Sequence, residues 1–174
     1  MMRVASQLTF CSPDKILRRE VVELDEQKTI TRLFSLDGNA VESAQTLFYD
    51  GILSAEIISV KEQLSTLNKV VSGYNYIDLS LGIPTVIVAS EKPLLLDFGT
   101  HSPEKVNNIL AELTQALSAF SMFEIIAACC YFPAMIVHGA ASLEINRKTK
   151  LLLWEGSDLV NKRITKQTLI REIS

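Results

Sequence analysis

Histidine and cysteine are scarce in this chain, two of the first and three of the second in 174 residues. That scarcity excludes whole classes of site. A hydrolytic metal centre asks for three or more His or carboxylate ligands on rigid elements, and His101 and His138 fall in no H-x-H, H-E-x-x-H or Cys/His spacing. Three cysteines cannot all pair, and Cys129 and Cys130 are adjacent with no C-x-x-C, so small packed thiols in a reduced compartment are expected. No block of Lys and Arg interleaved with aromatics occurs and the net charge is −3, which leaves no electrostatic footprint for nucleic acid. The longest apolar run, Ile125 to Val137, is too short to span a bilayer and contains Pro133, so a buried helix, central to the core or at an interface, is expected. The first ten residues alternate without the continuous apolar core of a secretion signal, so a cytoplasmic protein with no membrane contact is expected. A glycine-rich phosphate loop and Gly-x-Ser-x-Gly are also missing; Gly99-Thr100 is followed by Pro103 and the acidic Glu104.

What the chain does have is apolar surface to bury. Hydrophobic residues make up 48% and charged residues 21%, with a mean hydropathy of +0.22, so a large core or a sticky interface is expected. The length allows one domain, or two small lobes sharing a core, in which folding buries roughly 70% of the unfolded surface.

Along the chain, Val4, Ser6, Leu8 and Phe10 alternate, Ser12-Pro13-Asp14 reads as a turn, and Ile16 to Leu24 reads as a second strand. Thr29 to Phe34 is β-branched and aromatic and stops at Asp37-Gly38-Asn39. Leu64 to Tyr74 is polar and weakly patterned, a loop. Thr85-Val86-Ile87-Val88 is read as a strand or hairpin ahead of the turn at Lys92-Pro93, although a helix there remains open. Ser102 and Pro103 open a helix with Val106, Ile109, Leu110, Leu113 and Leu117 on one face. Ser121 and Glu124 have capping-box spacing for a second helix, which Pro133 closes or restarts. Strands return at Leu143 to Ile145, Leu151 to Trp154 and Ile164 to Ile173. The pairs Glu23 with Asp25 and Glu42 with Asp50 read as solvated turn carboxylates.

The stretch Phe48-Tyr49-Asp50-Gly51-Ile52-Leu53, continuing to Leu64, resembles the phrase F-x-N-G-I-L-x-P-G-F-V-N-x-H-x-H-L of the amidohydrolase superfamily, in its chlorohydrolase, aminofutalosine deaminase and S-adenosylhomocysteine deaminase branch. Asn75-Tyr76-Ile77-Asp78-Leu79 with Ile83-Pro84 is similar to that branch's phrase at the seventh barrel strand. Leu94 to Ser102 is similar to the L-G-T-D-S ending of the eighth. The resemblance implies that Lys61 and Gln63 stand where two metal-binding histidines would be, and His101 where a metal-binding aspartate would be. An ammonium and an amide cannot replace two imidazoles as ligands.

The resemblance implies an α+β fold in which residues 1–53 and 142–174 build a β-sandwich and residues 54–141 hold the remnant of a (β/α)8 barrel. A whole barrel takes roughly 250 residues, so most of it would be missing, with the cut near residues 64–74. The expectation is a non-catalytic pseudoenzyme with no metal and no cofactor. It would act through a homodimer or another protein partner covering apolar faces at Phe123 to Val137 and around Ile57 and Leu95. The alternative is a residual pocket at Lys61, Gln63 and His101 that binds a purine-like small molecule or performs metal-free acid–base chemistry. A third possibility is that the chain completes a site on a separate protein. His138 is expected at a helix end, favourable to the C-terminal dipole.

Overall fold

The computed structural model describes residues 1–38, 45–65 and 67–174; Asn39 and Glu42, named above, lie outside them. It is an α+β fold whose main element is a seven-stranded sheet. The strands are β1 (Met2–Ser12), β2 (Lys15–Arg18), β3 (Glu20–Leu24), β4 (Ile30–Ser35), β5 (Leu47–Ala55), β8 (Leu151–Glu155) and β9 (Leu169–Glu172), in the order β4-β3-β1-β5-β8-β9 with β2 also on β1. The first half of β1 pairs β3 and the second half pairs β2, both antiparallel. The expected second strand is therefore two strands, divided at Arg19, whose φ of 51° breaks the extended run. On its other side β1 runs parallel to β5.

Chain ends meet through β5 and β8, which pair antiparallel from Ile52 with Trp154 to Ala55 with Leu151. Gly51 permits the approach. Its φ is 141°, and a Cβ there would stand against the Trp154 carbonyl oxygen, so any side chain would force the strands apart. One continuous sheet thus takes the place of two stacked ones. It curls: Ile30 N donates to Arg147 O and Asn146 N to Ile30 O, both at 2.8 Å, which ties the start of β4 to the segment before β8.

Period-two alternation along the strands feeds two cores. One face sends Val4, Val22, Leu53 and Leu151 inward with Leu24 and Ile30. The opposite face sends Phe10, Ile52, Leu152 and Trp154 against the helices. Trp154 satisfies its buried indole by donating to Ser54 Oγ at 2.9 Å.

Between β5 and β8 lies a smaller unit. The helices α1 (Val60–Gln63) and α2 (Leu67–Val70) and a 3-10 turn at Val71–Gly73 lead to β6 (Asn75–Asp78) and β7 (Leu94–Asp97), a parallel pair in register. The short helices occupy part of what reads as loop in the sequence. Where Lys61 and Gln63 were expected on a strand, β5 ends at Ala55 and Ser59 caps α1, accepting from Glu62 N. Residues 85–90 form neither strand nor helix; Ile87 alone among Val86, Ile87 and Val88 is buried.

The helix expected after Ser102 is α3 (Pro103–Leu113), capped by Ser102 and burying Val106, Ile109, Leu110 and Leu113. The capping box at Ser121 and Glu124 opens α4 (Met122–Ile126), which runs through a π turn at Ala127–Tyr131 into α5 (Phe132–His138). Pro133 stands in the first turn of α5, where the π turn gives way to a further α segment, the restart that the sequence allowed. Lacking an N–H, it cannot bond the Cys129 carbonyl, and that oxygen instead accepts Ile58 N at 3.3 Å. Gly139, at φ 70°, ends α5 after His138, the expected helix-end position.

Two expected strands are absent or shorter. Residues 142–146 are bends and turns around buried Leu143, and of the stretch from Ile164 only Leu169–Glu172 is strand. The apolar faces expected to need a partner are covered by the chain itself. Ile125, Ile126, Ala128, Cys129, Ala134, Ile57 and Leu95 all lie in the core, because helix 122–138 packs between the sheet and β7. Met135 of that helix is exposed at 37%, but the most exposed apolar side chains lie elsewhere, among them Val160 at 89%, Leu81 at 80%, Val88 at 74% and Val86 at 68%. No helix among the described residues is long and apolar enough to cross a membrane.

Candidate functional site

Two groups of polar side chains gather where β5, β7 and α5 end. The first is centred on Asp97, the last residue of β7, which is 0% exposed. A carboxylate removed from water needs donors on its lone pairs, and Asp97 has four. Oδ1 accepts Ser59 Oγ at 2.6 Å and Gly99 N at 2.9 Å. Oδ2 accepts Lys61 N at 2.8 Å and Tyr76 Oη at 3.2 Å. Gly99 reaches it by a left-handed turn, φ 64°. Burial and the Asp97 charge push the Tyr76 phenol well above its usual range, so it is a fixed donor.

The Lys61 ammonium turns the other way, donating to Asp78 Oδ2 at 2.9 Å and Ser80 Oγ at 3.0 Å. The Asp78 hydrogen bond raises the Lys61 pKa. Burial works against ionised Asp78, but the hydrogen bonds from Ser80 and Lys61 outweigh it and hold that carboxyl low. Both carboxylates sit at the C-terminal ends of the parallel strands, the end at which α/β barrels place their chemistry. Neither suits a divalent ion, since one is filled by four hydrogen bonds and the other already faces an ammonium. No group of three His, Cys, Asp or Glu that could hold a metal occurs among the described residues.

The second group lines a cavity of about 340 Å³ formed by Glu56, Ser59, Glu62, Gln63, His101 and His138 with neighbouring backbone. Gln63 and His101, two of the three expected pocket residues, come together here, while Lys61 does not line it. His101 Nδ1 lies 2.8 Å from the Gly99 carbonyl oxygen. A carbonyl can only accept, so the proton is on Nδ1 and neutral His101 keeps Nε2 as an acceptor. Glu56, Ile57 and His101 also line a smaller niche of about 140 Å³ with Val106, Leu152 and Ile170. Burial pushes the Glu56 carboxyl up, more than nearby Lys150 and His138 pull it down. A third, larger groove of about 640 Å³ is lined by other residues, Ile16, Leu94, Phe120, Phe123 and Phe132 with the charged Glu91, Lys92, Glu124 and Lys162.

Of these residues, Asp97, Asp78, Tyr76 and Glu56 carry no expectation from the sequence. A charge ending the apolar run Leu94-Leu95-Leu96, and another directly after the buried stretch Ile52 to Ala55, were the available signals. One carboxylate reading changes: Glu23 is buried, bonded by Arg3 Nε at 2.8 Å, whereas Asp25 and Asp50 are exposed, as expected, Asp50 accepting from Gln7.

No family model matches the sequence, and a search of curated proteins gives no match. Among solved structures the chain is similar to N-acetyl-D-glucosamine-6-phosphate deacetylase from Mycobacterium smegmatis, at 9% identity and a TM-score of 0.27. The similarity covers 81% of this chain and 42% of the deacetylase, so the chain spans less than half of that protein's length. A likeness of this degree carries no argument about chemistry.

Proposed function

We propose that the protein is an amidohydrolase-like pseudoenzyme of the cytoplasm that works without a metal or cofactor, by contact with another protein chain. The observation that carries this reading is Lys61. Its ammonium is engaged by Asp78 and Ser80, and its backbone N–H by Asp97, at the strand ends where a barrel would gather metal ligands. The neighbour order supports the barrel origin: β6 and β7 are parallel, and residues 59–61 lie against the end of β7, as a first strand follows an eighth in a closed ring.

A lone parallel pair is unusual, because parallel strands normally lie inside a larger sheet. Asn75 N bonds Pro93 O and Leu79 N bonds Asp97 O, so the alternate N–H groups of Tyr76 and Asp78 face away from β7. Leu81, Ile83, Val86 and Val88 are exposed in the same connection. An open strand edge beside apolar side chains is a surface a partner would cover, and a second copy of the chain is the first partner to test.

Native mass spectrometry on protein purified without chelator tests the proposal. A metal-free dimer that becomes a monomer in the double variant Val86→Asp, Val88→Asp is the expected result. A stoichiometric divalent metal would overturn the pseudoenzyme reading, and a concentration-independent monomer would remove the second copy as partner. A second reading, that a small-molecule site survives near His101, is favoured by the cavity that Gln63 and His101 share.

A further inference from the structure

We propose that the cavity beside Glu56 binds a primary amine carrying an apolar body. This rests on the second reading above and names the ligand class. Glu56 directly follows the last β5 residue, and Ala55 is fixed opposite Leu151, so a rigid strand presents its side chain. The carboxylate is half-buried and accepts no hydrogen bond from any described residue, in contrast to Asp97 with its four. A carboxylate partly withdrawn from water and left without donors is a standing cost, which an ammonium would relieve.

The rest of the lining agrees in charge and in hydrogen-bonding sense. No Lys or Arg lines the 340 Å³ cavity, and Glu62 adds a second carboxylate without an ion pair. An anionic ligand would therefore meet two carboxylates in this cavity, and the cations of the adjoining niche, Lys150 and Arg171, are already paired with Glu172 and Glu155. In its neutral form His101 offers Nε2 as an acceptor, because Nδ1 is committed to Gly99 O, and the Gln63 amide oxygen is a further acceptor. Three N–H groups of an ammonium suit such a set.

The lysines whose charge reaches Glu56 are already paired. Lys150 Nζ is held by Glu172 at 3.2 Å, and Lys28 Nζ by Glu172 at 3.5 Å and Ser174 O at 2.8 Å. His138, at the end of α5, is exposed and adds positive charge only when protonated. The apolar body has a place as well: Ile57, Val106, Leu152 and Ile170 line the adjoining 140 Å³ niche, which shares Glu56 and His101 with the polar cavity, and the charged residues on its rim are paired, Lys150 with Glu172 and Arg171 with Glu155.

Thermal-shift titration of the purified chain with three probes of one shape tests the inference: 2-phenylethylamine, 2-phenylethanol and phenylacetate at constant ionic strength. The amine is expected to raise the melting temperature dose-dependently, with an apparent Kd at least tenfold below those of the alcohol and the acid. Glu56→Gln should weaken the amine at least tenfold while melting no lower than the wild type. Equal binding of amine and alcohol, or an amine affinity unchanged in Glu56→Gln, would overturn the amine class and leave a small-molecule site standing. Binding of none of the three up to millimolar concentration would overturn both.

Discussion

Asp97 and Glu56 are two carboxylates in neighbouring polar groups, and they differ in almost every physical respect. Asp97 is wholly buried and fully hydrogen-bonded, by groups from three separate segments of chain. Glu56 is half-open to a cavity and has no donor among the described residues. The first is a structural knot that ties residues 59–61 to the parallel strand pair. The second carries an unmet electrostatic demand. Burial alone does not mark function in this molecule; what matters is whether the buried charge has its partners.

The largest effect that would break this contrast is Asp97→Asn. The amide keeps the shape but turns an acceptor into an NH2 group facing two donors, so stability should fall by about 3 kcal/mol. For a chain of this length that lowers the Tm by roughly 6–12 °C, measurable by calorimetry. Ser59→Ala removes both an Asp97 donor and the α1 cap, a loss of about 2 kcal/mol in urea unfolding. Tyr76→Phe removes only the longest of the four hydrogen bonds, and about 1 kcal/mol is expected by the same method.

Glu56→Gln should give the smallest effect, of opposite sign. Burial raises the folded carboxyl above its ordinary value of 4.5. Above the folded pKa, the ionised group therefore costs stability in the folded state. That cost declines as pH falls through the folded pKa and is gone below the ordinary value. The variant should gain less than about 1 kcal/mol at pH 7, because solvent screens a half-exposed charge. The gain should vanish near pH 4, as paired melts at the two pH values would show.

Local chemistry was legible in the sequence wherever one short stretch decides the outcome. The cap at Ser102, the box at Ser121 and Glu124, and the alternation of Val4 to Phe10 each fix their element within a few residues. The failures come from distant contacts. Nothing around Pro133 announces that the Cys129 carbonyl it frees would be taken by Ile58. Thr85 to Val88 has the composition of a strand, but Ile87 N donates to Ala116 O beyond α3 and Val88 O accepts the Asn75 side chain, so distant contacts that form no ladder hold it and it stays irregular. Helix 122–138, apolar nearly all round, reads as either central to the core or an interface, and only its contacts with the sheet and β7 decide for the core. At the site, the sequence brought Gln63 and His101 to attention but not Asp97, since a carboxylate's role is set by donors 36 and 38 residues away, at Lys61 and Ser59.

The contrast between the two carboxylates is tested most directly by melting Asp97→Asn and Glu56→Gln beside the wild type at pH 7. Each exchange removes one negative charge and almost no volume. The account predicts opposite signs, a drop of several degrees for Asp97→Asn and a small rise for Glu56→Gln. Shifts of the same sign would contradict it, because the two carboxylates would then stand in the same relation to the fold.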